Sequence, residues 1–231
     1  MFNSLSLKVI LFGFIFTFFS SFGQSFFLGL FNSSIRDALS ITHGQFGTIY
    51  ASATLLSSLL IIWVGKKIDD VDIFKFASFT TLLLSFSCYF FSKITSISFL
   101  FVAIFFMRFS GQALMSHTAT TTISRYFTKS RGKALSISWF GLSTAEFILP
   151  IFIVYLLTIT TWQNIWISVS ILILIFLPMA SFILIKNLNF DSREEIKEND
   201  YKEKDIFQWK RIEVLKDYRF YIICLNMLAM P

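Results

Sequence analysis

Four stretches of this chain, 9–35, 38–65, 76–92 and 147–185, contain no Asp, Glu, Lys or Arg. A helix needs roughly 20 apolar residues to cross the hydrocarbon core of a bilayer. The last stretch is long enough for parts of two such helices. A soluble domain carries about 25% charged residues; here the figure is 15%, beside 55% hydrophobic residues. Lipid offers the backbone no hydrogen-bond partners, so a chain of this kind crosses the membrane as helices. The fold class is all-α integral membrane.

Six spans are predicted near 7–30, 45–64, 73–92, 97–122, 133–158 and 163–185. The turn TITTWQN (158–164) divides the final apolar run, because one helix of that length would overshoot any bilayer. The first run is too long for the apolar core of a cleavable signal and reads as a retained helix. A seventh apolar stretch is taken to start within 218–231 and to be truncated, too short to span. The predicted organisation is a six-helix bundle over 1–185, a charged cytoplasmic loop over 186–217, and the start of a seventh helix over 218–231.

The loop holds eight basic and nine acidic residues, a mixture that buries too little apolar surface to fold alone. It reads as a solvated linker between two membrane halves. Its end, IFQWKRIEVLKDY (206–218), suits a short surface helix with Trp209, Ile212 and Leu215 toward the membrane. Such a linker makes a missing C-terminal six-helix half an expected partner, beside the lipid bilayer itself. Basic residues orient the bundle. Lys8, Lys66, Lys67, Lys75, Arg125, Lys129, Arg131, Lys133 and nine more between Lys186 and Arg219 fall on one side, against Arg36 and Lys93 on the other. By the positive-inside rule the N-terminus is cytoplasmic.

Little in the sequence points to enzyme chemistry. There is no metal-ligand cluster, no nucleophile–base pair on one face and no phosphate-cradling glycine loop, so neither a cofactor nor a metal is expected. Cys88 and Cys224 both sit in apolar segments and suggest no disulfide. The 31 phenylalanines read as generic apolar bulk. The net charge of +6 belongs to cytoplasmic loops rather than to a nucleic-acid surface.

The ionisable groups inside spans are Arg108, His117 and Glu146. Charge near the bilayer centre costs a few kcal/mol or more, so such groups face protein or water and mark function by default. At 1.5 Å per residue, Arg108 lies about 21 Å from the cytoplasmic end of the fourth span and Glu146 about 20 Å from that end of the fifth. The two are placed to meet near mid-depth, either as an ion pair that fixes packing or on either side of a substrate. In the second case Arg108 is the natural dock for a carboxylate.

Pro150 removes the hydrogen bond to the Glu146 carbonyl and marks a candidate hinge. Arg108, Gly111, Gln112, Thr118 and Thr122 share one helical face. His117 falls on the opposite face and reads as a hydrogen-bonded packing residue. In the first span, Gly13, Thr17, Ser20, Ser21 and Gln24 form a polar stripe that also suits helix–helix packing; Gln24 is the member long enough to reach a solute. Gly-Gln occurs at 23–24 and again at 111–112. Those spans are equivalents in a fold of two inverted three-helix repeats, yet a dipeptide recurs easily by chance, and chance is the reading the sequence favours.

Six helices, a charged central loop and a seventh start resemble the major facilitator superfamily. GKKIDDVDIFK (65–75) is similar to its signature between helices two and three: Gly65 and Asp69 match, while Asp70 and Asp72 stand where a basic residue and a glycine are usual. FGQSFFLGLF (22–31), ITHGQFGTIYASATLLSSLL (41–60) and RFSGQALMSHTATTTISRYFTKSRGKAL (108–135) resemble the branch of monocarboxylate and oxalate–formate transporters. The resemblance implies alternating-access transport of a small solute, often an organic anion, by symport or antiport. It implies substrate-binding roles for Arg108, Gln112, Glu146 and Gln24, and a gating loop with Gly65, Asp69 and Arg131. If coupling is protonic, Glu146 is the local candidate. A bacterial inner membrane is the implied location. The alternative from the sequence is a truncated fragment, inert or needing a separate second half.

Overall fold

The computed structural model describes residues 4–186 and 211–228, which fall in two units divided after Glu194. The first unit holds six helices long and apolar enough to cross a membrane: Ser4–Gly29, His43–Asp69, Ile73–Phe91, Ile97–Tyr126, Arg131–Ile159 and Trp162–Ile185. They are called the first to sixth spans.

Short polar caps set where the spans begin. Thr42 accepts from the Gln45 backbone N–H at 3.2 Å while its own N–H donates to Gln45 Oε1 at 2.8 Å, a reciprocal box that starts the second span. Asp72 caps the third span by accepting from Lys75 N at 3.1 Å. Ser96 and Thr161 open the fourth and sixth in the same way. Asp72, which departs from the glycine of the family signature, thus has a helix-starting role. A short helix, Asn32–Leu39, precedes the second span and ends on Ser40 at φ 53.

The first span packs along the fifth and against the fourth, the second along the fourth, and the third along the sixth. Exchanging spans one to three with four to six turns the first–fifth pair into the fourth–second pair and leaves third–sixth unchanged. Three spans per repeat reverse the chain direction, so the pairing is that of two inverted three-helix repeats.

Small residues let the backbones close. On the fifth span, Ala134, Ser138, Gly141 and Ala145 are buried. Thr17 of the first span donates to the Ser138 carbonyl at 2.6 Å, a bond of the kind worth about 0.6 kcal/mol or somewhat more between membrane helices. The third and sixth spans are tied by Ser85, which donates to the Ser170 carbonyl at 2.9 Å, and Ser170, which donates back at 2.8 Å. Phe27, Phe31 and Phe91 surround the buried Trp166. Much of the aromatic content therefore packs between helices.

Two spans are not the continuous α-helices expected. The first breaks into a tight turn at Ser21–Gly23 and an extended Gln24 (φ −82, ψ 157) before resuming at Ser25–Gly29. The fourth widens into a π-helix over Arg108–Met115, a form frequent at functional sites. The fifth span continues as one helix through Pro150.

In the second unit, helices Arg211–Lys216 and Tyr218–Leu228 flank Asp217, whose carboxylate accepts from Arg219 N at 2.9 Å. The latter helix lies where the seventh start is expected. Leu215 is exposed on the former. The linker residues 187–210, with Trp209, and the Ile212 side chain lie outside the described residues.

Candidate functional site

The two irregular segments meet. Gly23 and Gly111 pack so closely that a Cβ on Gly23 would strike the Met107 carbonyl oxygen and lie 2.6 Å from Gln112 N. A Cβ on Gly111 would lie 2.7 Å from both Gly23 Cα and Gly23 N. The helix break leaves the Gly23 carbonyl free to accept from Arg108 Nη1 at 3.0 Å. The same nitrogen reaches Ser25 Oγ at 3.3 Å. Arg108 is held by the broken first span rather than by an acid.

Arg108 is 5% exposed. Tyr50 of the second span lies over its guanidinium, with Cζ 5.3 Å from the ring centroid, a cation–π contact. The Tyr50 hydroxyl donates to Ser25 Oγ at 2.8 Å. Arg108 Nε is buried and has no hydrogen-bond partner among the described residues. A buried guanidinium without a carboxylate is an unbalanced charge in a medium where charge is costly.

A cavity of about 220 Å³ opens above this cluster, lined by Ser25, Gly29, Asn32, His43, Phe46, Gly47 and Tyr50. Ser25 and Tyr50 belong to its lining and both contact Arg108, which is not itself part of that lining. A second cavity of about 230 Å³ lies among Phe22, Leu149, Ile153, Ile165 and their neighbours, with no charged side chain in its lining. Polar and ionisable side chains line the first: Ser25, Asn32, His43 and Tyr50.

The residues singled out from the sequence divide between the neighbourhood of Arg108 and other parts of the bundle. Gln112 is half-buried in the π-helix, with its backbone N against Gly23. Gln24 is half-buried in the break itself. Glu146 is exposed, and among the described residues no ion pair joins it to Arg108. Counting residues along two helices sets their depth but not their rotation. The fifth span turns its small residues, including Gly141 and Ala145, toward the bundle, which carries Glu146 about 100° away from Ala145. Of the two expected arrangements, the Arg108–Glu146 ion pair is not formed among the described residues; Arg108 contacts Gly23, Ser25 and Tyr50 instead.

The stripe on the fourth span is also used differently. Thr118 and Thr122 are buried and donate to their own helix at Leu114 O and Thr118 O. They are not in the lining of the cavity near Arg108. Thr17 and Ser20 likewise serve packing and helix bonds.

At the opposite end of the bundle, Asp69 forms an ion pair with Arg125. His117 Nε2 lies 2.9 Å from the Gly65 carbonyl, the hydrogen-bonded packing role read from sequence. The loop signature thus ties the second span to the fourth. Arg131 does not join this pair: it is exposed and donates from Nε to the Phe127 carbonyl at 3.2 Å.

Sequence reasoning missed Tyr50, Ser25 and Arg125. Tyr50 is one of seven tyrosines, with no charge or spacing to single it out. Arg125 carries the usable signal, a basic residue at the same end of the bundle as the acid of the signature loop. Among the described residues no group of His, Cys, Asp and Glu is placed to hold a metal.

No curated protein and no solved structure gives a significant match to this chain. The family model of the Major Facilitator Superfamily matches residues 13–230. Nearly the whole chain is covered, the helices pair as inverted repeats, and the spans are apolar enough to cross a bilayer. The chain is a multi-pass integral membrane protein and belongs to the Major Facilitator Superfamily of transporters.

Proposed function

We propose that the chain acts in secondary active, alternating-access transport of a small organic anion such as a monocarboxylate, with Arg108 as the docking group. The observation that carries this reading is the buried guanidinium with an unpartnered Nε and no acidic partner among the described residues. A planar cation of this kind is balanced best by a carboxylate, which accepts from two N–H groups at once. Gln112, one turn along the fourth span from Arg108, and Gln24, next to the Gly23 that binds it, are assigned neutral hydrogen bonds to the rest of the solute, although neither lines the cavity.

The stretches 22–31, 41–60 and 108–135, which resemble the monocarboxylate and oxalate–formate branch, contain Gly23, Ser25, Tyr50 and Arg108. The resemblance and the cluster rest on the same residues. Glu146, the one acid in the interior of a described span, is assigned proton coupling in a symport mode, and Pro150 one turn on is assigned the hinge. Gly65, Asp69 and Arg131, at the ends of the second and fifth spans, are assigned to holding the cytoplasmic end, with Asp69 acting through Arg125. The distribution of Lys and Arg supports a cytoplasmic N-terminus, in a bacterial inner membrane. The cavity above Tyr50 then opens outward.

Uptake of labelled acetate, lactate and oxalate by cells carrying the gene tests the reading, with Arg108→Ala beside wild type. Loss of uptake at unchanged protein level is expected. Unchanged uptake removes Arg108 from the mechanism.

A further inference from the structure

Two donors from different spans converge on one neutral oxygen. The Tyr50 hydroxyl and Arg108 Nη1 both point at Ser25 Oγ, at 2.8 and 3.3 Å. Ser25 is exposed and lines the cavity. A serine hydroxyl is a modest acceptor, whereas hydrogen bonds to an ionised acceptor are roughly twice as strong. An anion oxygen arriving through the cavity competes for both donors and wins.

From this convergence we infer that Tyr50 is the second donor of the anion site and determines its selectivity, with Ser25 Oγ holding the place of a substrate carboxylate oxygen. This rests on the reading of Arg108 as the docking group. The Tyr50 ring lies against the guanidinium and keeps water from it. Its hydroxyl can turn from Ser25 to the ligand without moving the ring. The hydroxyl donates and the oxyanion accepts; a neutral amide or an amine presents no charged acceptor and gains nothing over Ser25.

The cavity sets the rest of the ligand. Gly29 and Gly47 leave open space where a Cβ would stand, and Phe46 supplies an apolar wall. Asn32 and His43 bring polar groups to the lining. The chemical class is a short-chain carboxylate whose carboxyl end lies on Tyr50 and Arg108, with its tail among Gly29, Phe46 and Gly47.

The test is uptake into proteoliposomes containing the full chain, with labelled lactate as probe and unlabelled lactamide as neutral competitor. Tyr50→Phe keeps the ring and deletes the donor. It is expected to raise KM for lactate about tenfold, the loss of one hydrogen bond to a charged group, with kcat and protein level held. Competition by lactamide relative to lactate rises in parallel. Ser25→Ala, which removes the competing oxygen, is expected to lower KM severalfold. Gly47→Leu, placed in open space, fills the cavity and excludes longer acids before acetate.

If Tyr50→Phe transports lactate with unchanged KM and unchanged discrimination while Arg108→Ala is inactive, the inference fails and the docking role stands. If Arg108→Ala also transports normally, or wild type takes up no carboxylate, the functional reading itself falls. A Tyr50→Phe protein that loses transport through poor folding is recognised by its protein level, and Ser25→Ala then decides: a lowered KM for lactate supports the inference and an unchanged KM overturns it.

Discussion

Gly23 and Gly111 touch backbone to backbone, and a Cβ on Gly111 would come within 2.7 Å of the Gly23 Cα. Each glycine precedes a glutamine in an equivalent span of its repeat. The dipeptide recurrence, which the sequence alone assigns to chance, falls at the point where the two repeats cross. Close approach there accompanies the opening of the first span, which frees the Gly23 carbonyl and gives Arg108 an uncharged partner.

Substitution at this crossing should be costly because the atoms met are backbone and cannot rotate away. Gly23→Ala and Gly111→Ala are each expected to destabilise the protein by about 1–3 kcal/mol, the range for forced overpacking. Thermal unfolding in detergent measures this. Gly29→Ala, where nothing lies within 4 Å, serves as the matched control with little change.

The Asp69–Arg125 pair should matter more for cycling than for stability. Both side chains are partly exposed, and an exposed ion pair contributes about 0–1 kcal/mol. Asp69→Asn is expected to change Tm little and to reduce transport strongly. The exchange Asp69→Arg with Arg125→Asp should restore part of it. Equal loss in the exchange and the single variants would show that the pair itself is not what holds the second span to the fourth.

Glu146 is exposed on the fifth span, so the proposed coupling role is tested separately from Arg108. Glu146→Gln is expected to abolish accumulation driven by a pH gradient while leaving lactate exchange across equal pH. Accumulation that survives in this variant assigns proton coupling elsewhere.

Sidedness is checked by cysteines placed at two exposed positions, Ser33 and Lys129. An impermeant thiol reagent is expected to reach Ser33→Cys from outside intact cells and Lys129→Cys only after the membrane is opened. Labelling of both from outside contradicts the orientation.

What the sequence reveals, and where it stops, follows from what each feature depends on. Span positions depend on local hydrophobicity, so the apolar runs place all six to within a few residues. Arg108 stands out because charge in a span is expensive wherever its neighbours lie. Its partner does not, because partner choice depends on how each helix is rotated, and depth matching carries no rotation. The small residues Ala134, Ser138, Gly141 and Ala145 do encode that rotation, at helical spacing on the fifth span. Read as the face toward the first span, they turn Glu146 away. The break at Ser21–Gly23 and the π-helix at Arg108–Met115 leave no local mark, since serine and glycine are common in ordinary membrane helices. Tyr50 is recognisable only once the Gly23–Gly111 crossing has put Arg108 beneath it.

The most direct measurement is ligand-induced stabilisation of purified protein, wild type against Arg108→Ala. A ligand that binds the folded state at 100 times its Kd stabilises it by about 2.7 kcal/mol. Saturating lactate should therefore raise the Tm of wild type by several degrees and leave that of Arg108→Ala where it was. An equal rise in both proteins would mean that the anion docks without the buried arginine.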